Sequence, residues 1–401
     1  MAYNRGTIGT SEINSARVVK DMSEKILLLD PQSTPFLVFS KKLRKSPAYN
    51  MKFYWQEDEL IGHRSAVASA EAITLTAGSE SGAIEVTDAE IFNVGQMILI
   101  EDSGVVAYVS DAEDSEANHI KIIPGFDDAD TATDIAGDEV IQIIGTADAE
   151  GNGVMDENRR QSDEKYNYLQ QFKTNFSMTD IQMNTKTYNE QDEWGYLRAK
   201  KGREHNEGIE RSLLFGGRSK RTNANIGSHP IWTTRGVFNS ISTNVQALAS
   251  GTALTEDTWN EFLRDYGFDH GSNKKTLFAS RTLAHQISTW ARDNIRIKAG
   301  KNKKFGINVN SYISSLGYEL DVVVHPFLEG NTYGQAGVVL DMDAINLRYL
   351  KGSKDSFDTK LLVDVVKDGT HAQTDEYFSV LGLELRQEKR HAVIKNTLNN
   401  S

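Results

Sequence analysis

Residues 188–215 read YNEQDEWGYLRAKKGREHNEGIERSLLF. The stretch has no proline and is rich in Leu, Lys, Arg, Glu and Ala, which form helices well. As one helix of 28 residues it would be roughly 42 Å long, beyond the ordinary globular helix. Trp194, Leu197, Ile209, Leu213 and Leu214 make a sparse, narrow apolar stripe, and the middle turns are nearly all charged. Such a helix is covered on one side and solvated along much of its length. Glu207 and Arg211 stand at i,i+4 in the favourable order, Arg203 and Glu207 at the same spacing reversed. Gly195, Gly202 and Gly208 each cost up to ~1 kcal/mol in a helix interior, which predicts close packing there. The helix is either an exposed element of an α+β enzyme or a spine to which extended parts attach.

The remaining sequence decides between these. The chain has 401 residues, enough for two or three structural units with real cores. It has no cysteine, so disulfides and thiolate metal sites are excluded and a reducing compartment suits it. The first 20 residues lack the apolar core of a secretory signal. No run approaches the ~20 apolar residues of a membrane span; ILLL at 26–29 is the longest strictly aliphatic run. The net charge of −12 argues against a dedicated DNA binder, whose affinity comes from neutralising phosphates. Two local basic clusters, Lys41, Lys42, Arg44 and Lys45, and Arg218, Lys220 and Arg221, read as solvated charge or subunit contacts.

Residues 1–46 form an arm rather than a domain. An amphipathic stretch with Val18, Val19, Met22, Ile26 and Leu29 ends at Asp30-Pro31. PFLVF at 35–39 is an apolar patch too small to close on itself, so it must bury elsewhere in the chain or in a neighbour. NMKFYWQEDELI at 50–61 reads as a strand ending in an acidic tip. Residues 157–180 return with Tyr166, Tyr168, Phe172, Phe176 and Met178 at mostly even spacing, a strand pattern. Together they read as the arms of one long hairpin. Between them, short β runs at 83–86, 96–100, 105–109, 119–123 and 139–144 are separated by Gly, Asp, Asn or Ser. That spacing predicts a small barrel or sandwich, strongly acidic, inserted into the hairpin.

After the long helix, 216–228 is a polar, basic loop. Thr255 caps a helix whose inner face is Trp259, Phe262, Leu263 and Tyr266, ended by Gly267. A strand at 276–279 leads into a helix begun by Ser280, with Leu283, Ile287 and Trp290 on one face. Strands follow at 318–324 and 336–340, and 377–394 closes the chain as one long extended segment.

Catalytic constellations are absent from this reading. There is no GxxxxGK[ST], GxSxG or HExxH pattern. His205 and His285 read as surface or satisfied residues. Asp127, Asp128, Asp130, Asp134 and Glu139 approximate a calcium-loop register. Thr133 stands where the glycine belongs, and Ala132 offers no ligand, so a solvated acidic loop is expected. Asp341-Met342-Asp343 reads as a strand-end turn. No catalytic residue, metal site or cofactor is assigned.

An arm, a long hairpin, a spine helix, an α/β unit and a returning strand, in this order, resemble the major capsid proteins of tailed bacteriophages. Their coat fold is shared with the herpesvirus capsid floor. The likeness is carried by TPFLVF at 34–39, FYWQEDEL at 53–60, IEVTDAEIFNVGQMILI at 84–100, AKKGREHNEGIERSLLFG at 199–216, TLFASRTLAHQIS followed by LGYELDVVVHPFL, and LELRQEKRHAVI at 383–394. It is similar to the branch with a small β domain inserted in the extended loop. The resemblance implies an α+β chain with an N-terminal arm (1–45), an extended loop (46–71 and 148–180) and an inserted β domain (72–147). A peripheral domain with the spine helix (181–228 and 370–401) and an axial α/β domain (229–369) complete it.

It also implies a subunit of an icosahedral virion shell, assembled in the host cytoplasm as hexamers and pentamers. Portal and a separate scaffolding or decoration protein would be partners, and double-stranded DNA would be enclosed without sequence-specific binding. No long helical scaffolding segment is evident at the N-terminus. The residues expected at inter-subunit contacts are Phe36, Leu37 and Phe39 of the arm, and Glu57, Asp58, Glu59, Arg159 and Arg160 of the hairpin. Lys200, Lys201 and Arg203 of the helix would face them. The competing readings are a tail or decoration protein that binds carbohydrate through the β insertion, and a metal-dependent hydrolase using the acidic loop.

Overall fold

A computed structural model describes residues 34–38, 44–68, 73–112, 118–126, 133–135, 137–151, 158–185, 193–223, 225, 227–248, 254–294, 303–304, 307–308, 310–313, 317–352, 355–365 and 371–396. The chain divides into two compact units, Gln56–Glu164 and the remainder.

The Gln56–Glu164 unit is a barrel. Six strands lie in the order Arg64–Ala66, Val140–Thr146, Gln96–Ile100, Val106–Asp111, His119–Pro124, Ile84–Glu85. The first and last meet: Val67 bridges Val86, Ala68 N–H donates to Glu85 O (2.8 Å) and Thr87 N–H to Ala66 O (2.9 Å). Closure removes the sheet edges. Alternation sends Ile98, Ile100, Ala107, Val109, Ile120, Ile122 and Ile141 inward to a core with almost no polar group. Gly104, at φ +71°, makes the tight turn between two of these strands. The unit is wider than the expected 72–147, because Arg64–Ala66 is needed to close it.

Among the described residues, two larger sheets organise the other unit. In the first, Lys45–Ala48, Ile345–Leu350, Ala372–Leu385 and Gln170–Thr179 lie side by side, and Lys360–Leu362 also pairs with Ala372–Leu385. In the second the order is Val245–Leu248, Ala392–Asn396, Gly337–Leu340, Lys274–Ala279, Glu319–Val324, Asn310–Ile313. Its central strands are buried on both faces and so read as continuous apolar runs. Leu277, Val339 and Leu320 pack with Trp259, Phe262, Leu263, Leu283 and Ile287 of the two helices on one side. Phe278, Val338 and Val323 pack with Ile209, Leu213 and Leu214 of the long helix on the other. Thr255 Oγ1 caps Glu256–Phe262 by accepting from Thr258 N–H, and Ser280 Oγ accepts from Leu283 N–H (3.2 Å). The helix capped by Thr255 continues as a π-turn to Gly267.

The long helix is Glu193–Phe215; residues 188–192 lie outside the described residues. Its C-terminal half is inserted in the core, whereas its first half is half-exposed. Glu207 and Arg211 pair at 3.4 Å. Close packing occurs at Gly202, where a Cβ would stand 3.1 Å from the Tyr377 hydroxyl, and not at Gly208, which faces open space.

Several extended segments differ from the expected ones. The returning hairpin arm is two strands. Asp163–Tyr168 pairs with Lys52–Glu57, but Gln170–Thr179 runs antiparallel to Ala372–Leu385 through ten paired positions. The break is Leu169, buried with Ala48, Phe53 and Val380 while its N–H donates to Met51 O (2.8 Å). The closing segment also breaks. Gln387 adopts φ +50°, so Ala372–Leu385 stays in the first sheet and Ala392–Asn396 crosses to the second. The expected peripheral and axial ranges therefore interleave, since Ile345–Leu350 joins the first sheet and the C-terminal strand the second. The 216–228 loop contains a strand, Ser219–Arg221, paired with Ile231–Thr233.

Candidate functional site

The arm's apolar residues are held inside their own subunit. A single helical turn at 35–38 places Phe36 and Leu37 in the core, with the Phe36 ring edge-on to Phe278 at 5.5 Å. Glu210, the acid between Ile209 and Leu213, anchors that turn. Its carboxylate accepts from Phe36 N–H (2.8 Å) and Leu37 N–H (2.6 Å). His325 Nε2 donates to Glu210 Oε1 at 2.8 Å, and its Nδ1 accepts from Phe327 N–H (3.2 Å), which fixes the tautomer. Both side chains are fully buried. A buried carboxylate is tolerable only when its oxygens are satisfied this completely. Phe36 and Leu37 thus belong to the subunit's own core, a correction to their expected place at a neighbour. Phe39 lies outside the described residues.

A second node fixes the start of the first sheet. Buried Glu384 is bonded by Arg348 and by Arg386 (2.5 Å), and Asn346 Nδ2 donates to Ser46 Oγ (2.6 Å). Lys45 pairs with Asp358, and Arg44 with Asp343 at 3.7 Å, so the described half of the first basic cluster is spent within the subunit. A third node surrounds Lys275. Its ammonium donates to Gly267 O (2.7 Å), His270 O (2.6 Å) and Arg390 O (2.7 Å), and burial pushes it down to about 8. Beside it, burial pushes His391 down to about 4; its Nδ1 accepts from Asp341 N–H (3.2 Å). Asp341 caps the turn Met342–Ala344, as expected. His205 is a satisfied buried residue between Thr174 Oγ1 (2.9 Å) and Ser379 Oγ (2.8 Å), and His285 is exposed.

The charged residues expected at contacts are on the surface. Within the barrel unit, Arg160 reaches Glu59 at 3.4 Å, and Asp58 and Arg159 are exposed. On the helix, Lys200 and Arg203 are exposed and Lys201 pairs with Glu204 at 2.5 Å. The hairpin acids belong to the Gln56–Glu164 unit and the helix lysines to the other.

One surface escaped the sequence reading. Tyr54, Tyr166, Tyr168 and Trp232 form a row of rings, with centroids 6.1, 5.7 and 4.9 Å apart along it. Lys52 Nζ lies over Tyr54 (4.5 Å) and Tyr166 (4.0 Å), the Arg218 guanidinium over Tyr166 (4.0 Å), and Lys220 Nζ over Trp232 (4.6 Å). Hydrogen bonding to Tyr54 holds the Lys52 ammonium above its ordinary value. The signal was present: Tyr166 and Tyr168 share a strand face, and Lys220 sits opposite Trp232 in the ladder.

Among the described residues, the aromatic rings of the barrel unit do not gather into one exposed cluster. Phe92 is in its core, and Tyr108 and Phe126 make one ring pair. An open groove of about 470 Å³ is lined by Ile61, Ile91, Ile143, Asn93, Gln96 and Asn158 among others. Residues 127–132 of the acidic loop lie outside the described residues. Among the described residues, no three His, Cys, Asp or Glu side chains are placed to hold a metal ion, and no helix is long and apolar enough to cross a membrane.

A family model described as the SU10 major capsid protein matches residues 2–398. Comparison with curated proteins returns no match. Among solved structures, the chain is similar to one described as Mycobacterium phage Adephagia, with 9% identity over 99% of this chain and 100% of that one and a TM-score of 0.50. It is similar also to Mycobacterium phage Bobi, with 8% identity, 98% and 100% coverage and a TM-score of 0.50. These likenesses bear on the fold alone, and they support the expected α+β coat fold. The family match spans nearly every element described above, and with it the chain belongs to the SU10 major capsid protein family: a shell-forming protein of the bacteriophage virion.

Proposed function

We propose that the chain assembles into hexamers and pentamers that close an icosahedral head around double-stranded DNA. The observation that carries this reading is the capsid-family match over residues 2–398 of a chain with the coat fold. In this reading the first sheet and the long helix form the peripheral part, and the second sheet with its two helices the axial part. The ribbon of Lys52–Glu57 and Asp163–Tyr168 is the base of the extended loop. The barrel is the insertion. The protein acts by binding copies of itself and catalyses nothing. Portal and a separate scaffolding or decoration protein are its further partners, and assembly takes place in the host cytoplasm.

Exposed Asp58 and Arg159 on one unit, and Lys200 and Arg203 on the other, would register neighbouring copies. Such charges set orientation and suppress wrong docking more than they add affinity. A single exposed pair contributes only ~0–1 kcal/mol, but it recurs at every copy. Negative-stain microscopy of the purified protein tests the proposal. Closed shells, tubes or capsomers are expected; a monodisperse monomer at every salt and protein concentration would reject it.

A further inference from the structure

The chain's charge is divided unevenly. Residues 56–164 hold 26 Asp or Glu and four Lys or Arg; the rest of the chain holds 30 and 40. Among the described residues of that unit, Glu85, Asp88, Glu90 and Asp102 are exposed. The row of rings and cations belongs to the basic unit. Among the described residues no Asp or Glu pairs with Lys52, Arg218 or Lys220. Burial and the nearby Arg218 hold Arg235 below its ordinary value, against the opposing pull of Glu388. Ring faces soften that repulsion but do not neutralise it. A row of uncompensated cations, beside a chain whose other unit carries a surplus of carboxylates, is complementary to a second copy of itself.

We propose that this row on one copy receives carboxylates of the 56–164 unit of a second copy. The inference rests on the self-assembling reading above and names the surface it would use. Nucleic acid fits less well. The faces of Tyr166 and Trp232 are covered by Lys52, Arg218 and Lys220, so they are not free to stack on bases. The chain as a whole, at −12, also repels a duplex.

The test is zero-length carbodiimide cross-linking of full-length protein mixed from ¹⁴N- and ¹⁵N-labelled preparations, after nuclease treatment. The expected result is mixed-isotope peptides joining Lys52 or Lys220 to carboxylates within 56–164. Their yield should fall at least about fivefold between about 0.1 M and about 1 M salt, where the screening length shrinks from about 10 Å to about 3 Å. The cross-links are read on whatever species form, so shells without these links overturn this inference and leave the shell reading standing. Links confined to a single isotope, links only to carboxylates outside 56–164, or none from either lysine overturn it. Formaldehyde links from these lysines to an added short DNA duplex, without inter-copy peptides, assign the row to nucleic acid instead.

Discussion

The barrel closes on Ile, Val, Ala and Leu75 with one buried phenylalanine, and its buried polar residues among those described are Ser65 and Glu139. The larger unit buries His205, Glu210, Lys275, Asp321, His325, Asp341, Asp375, Glu384 and His391. An apolar barrel gains its stability from area removed from water and specifies its register by alternation. The larger unit must also specify which long-range strand meets which, and it does so with ion pairs and carbonyl cages that are costly to leave unpaired. The difference teaches where each unit is vulnerable: the barrel to loss of volume, the larger unit to loss of a partner or of the right protonation state.

The largest effect should separate the two by calorimetry. Phe36→Ala removes a ring fully buried against Phe278 and should cost about 3–5 kcal/mol. It should lower the melting transition of the larger unit while leaving the barrel's in place. Ile122→Ala should do the reverse, at about 2–5 kcal/mol. A common shift of one transition by both substitutions would break the comparison. Removing residues 1–45 should likewise lower stability, because Phe36 and Leu37 leave the core and take two of the donors to Glu210 with them.

Two pH effects come next, each on the order of 3 kcal/mol. His391 titrates near 4 when folded and near 6.5 when unfolded. Between these values the unfolded chain binds more protons, so stability falls as pH drops from 6.5 to 4. Lys275 titrates near 8 when folded and 10.5 when unfolded. Again the unfolded chain binds the extra proton, so stability rises as pH increases from 8 to 10.5. Denaturant titrations across both windows should show these slopes, and His391→Gln or Lys275→Met should flatten its own. An unchanged slope in both variants would remove the nodes from the account.

Smallest is Arg211→Ala. It loses one exposed i,i+4 pair and the contact of its guanidinium with the Phe327 ring at 4.4 Å. The cost should stay below about 1 kcal/mol, read from the denaturation midpoint. A larger loss would mean that the half-exposed side of the helix carries more of the unit than its solvation suggests.

What the sequence disclosed follows the range of the physics. The strand Gln96–Ile100 and the cap at Thr255 are legible to the residue, because alternation and capping are local. The long helix was legible from composition. Gln170–Thr179 reads as a strand but its partner is not legible, since its alternation is the same whether it pairs within a hairpin or with Ala372–Leu385. The break at Gln387 carries no Gly, Pro or Asn to announce it. His325 lies 115 residues from Glu210, and no local pattern links the two. Arg64–Ala66 is three residues long, too short for a periodic signal.

The most direct measurement expresses residues 56–164 alone beside the shorter 72–147 and follows both by circular dichroism on heating. Closure through Arg64–Ala66 and Val67 predicts a β-type spectrum and a cooperative melt for the longer fragment. The shorter one, which lacks that strand, should melt lower or not fold. A disordered spectrum from 56–164, or an equally stable 72–147, would contradict the claim that the acidic insertion is a barrel closed on its own core.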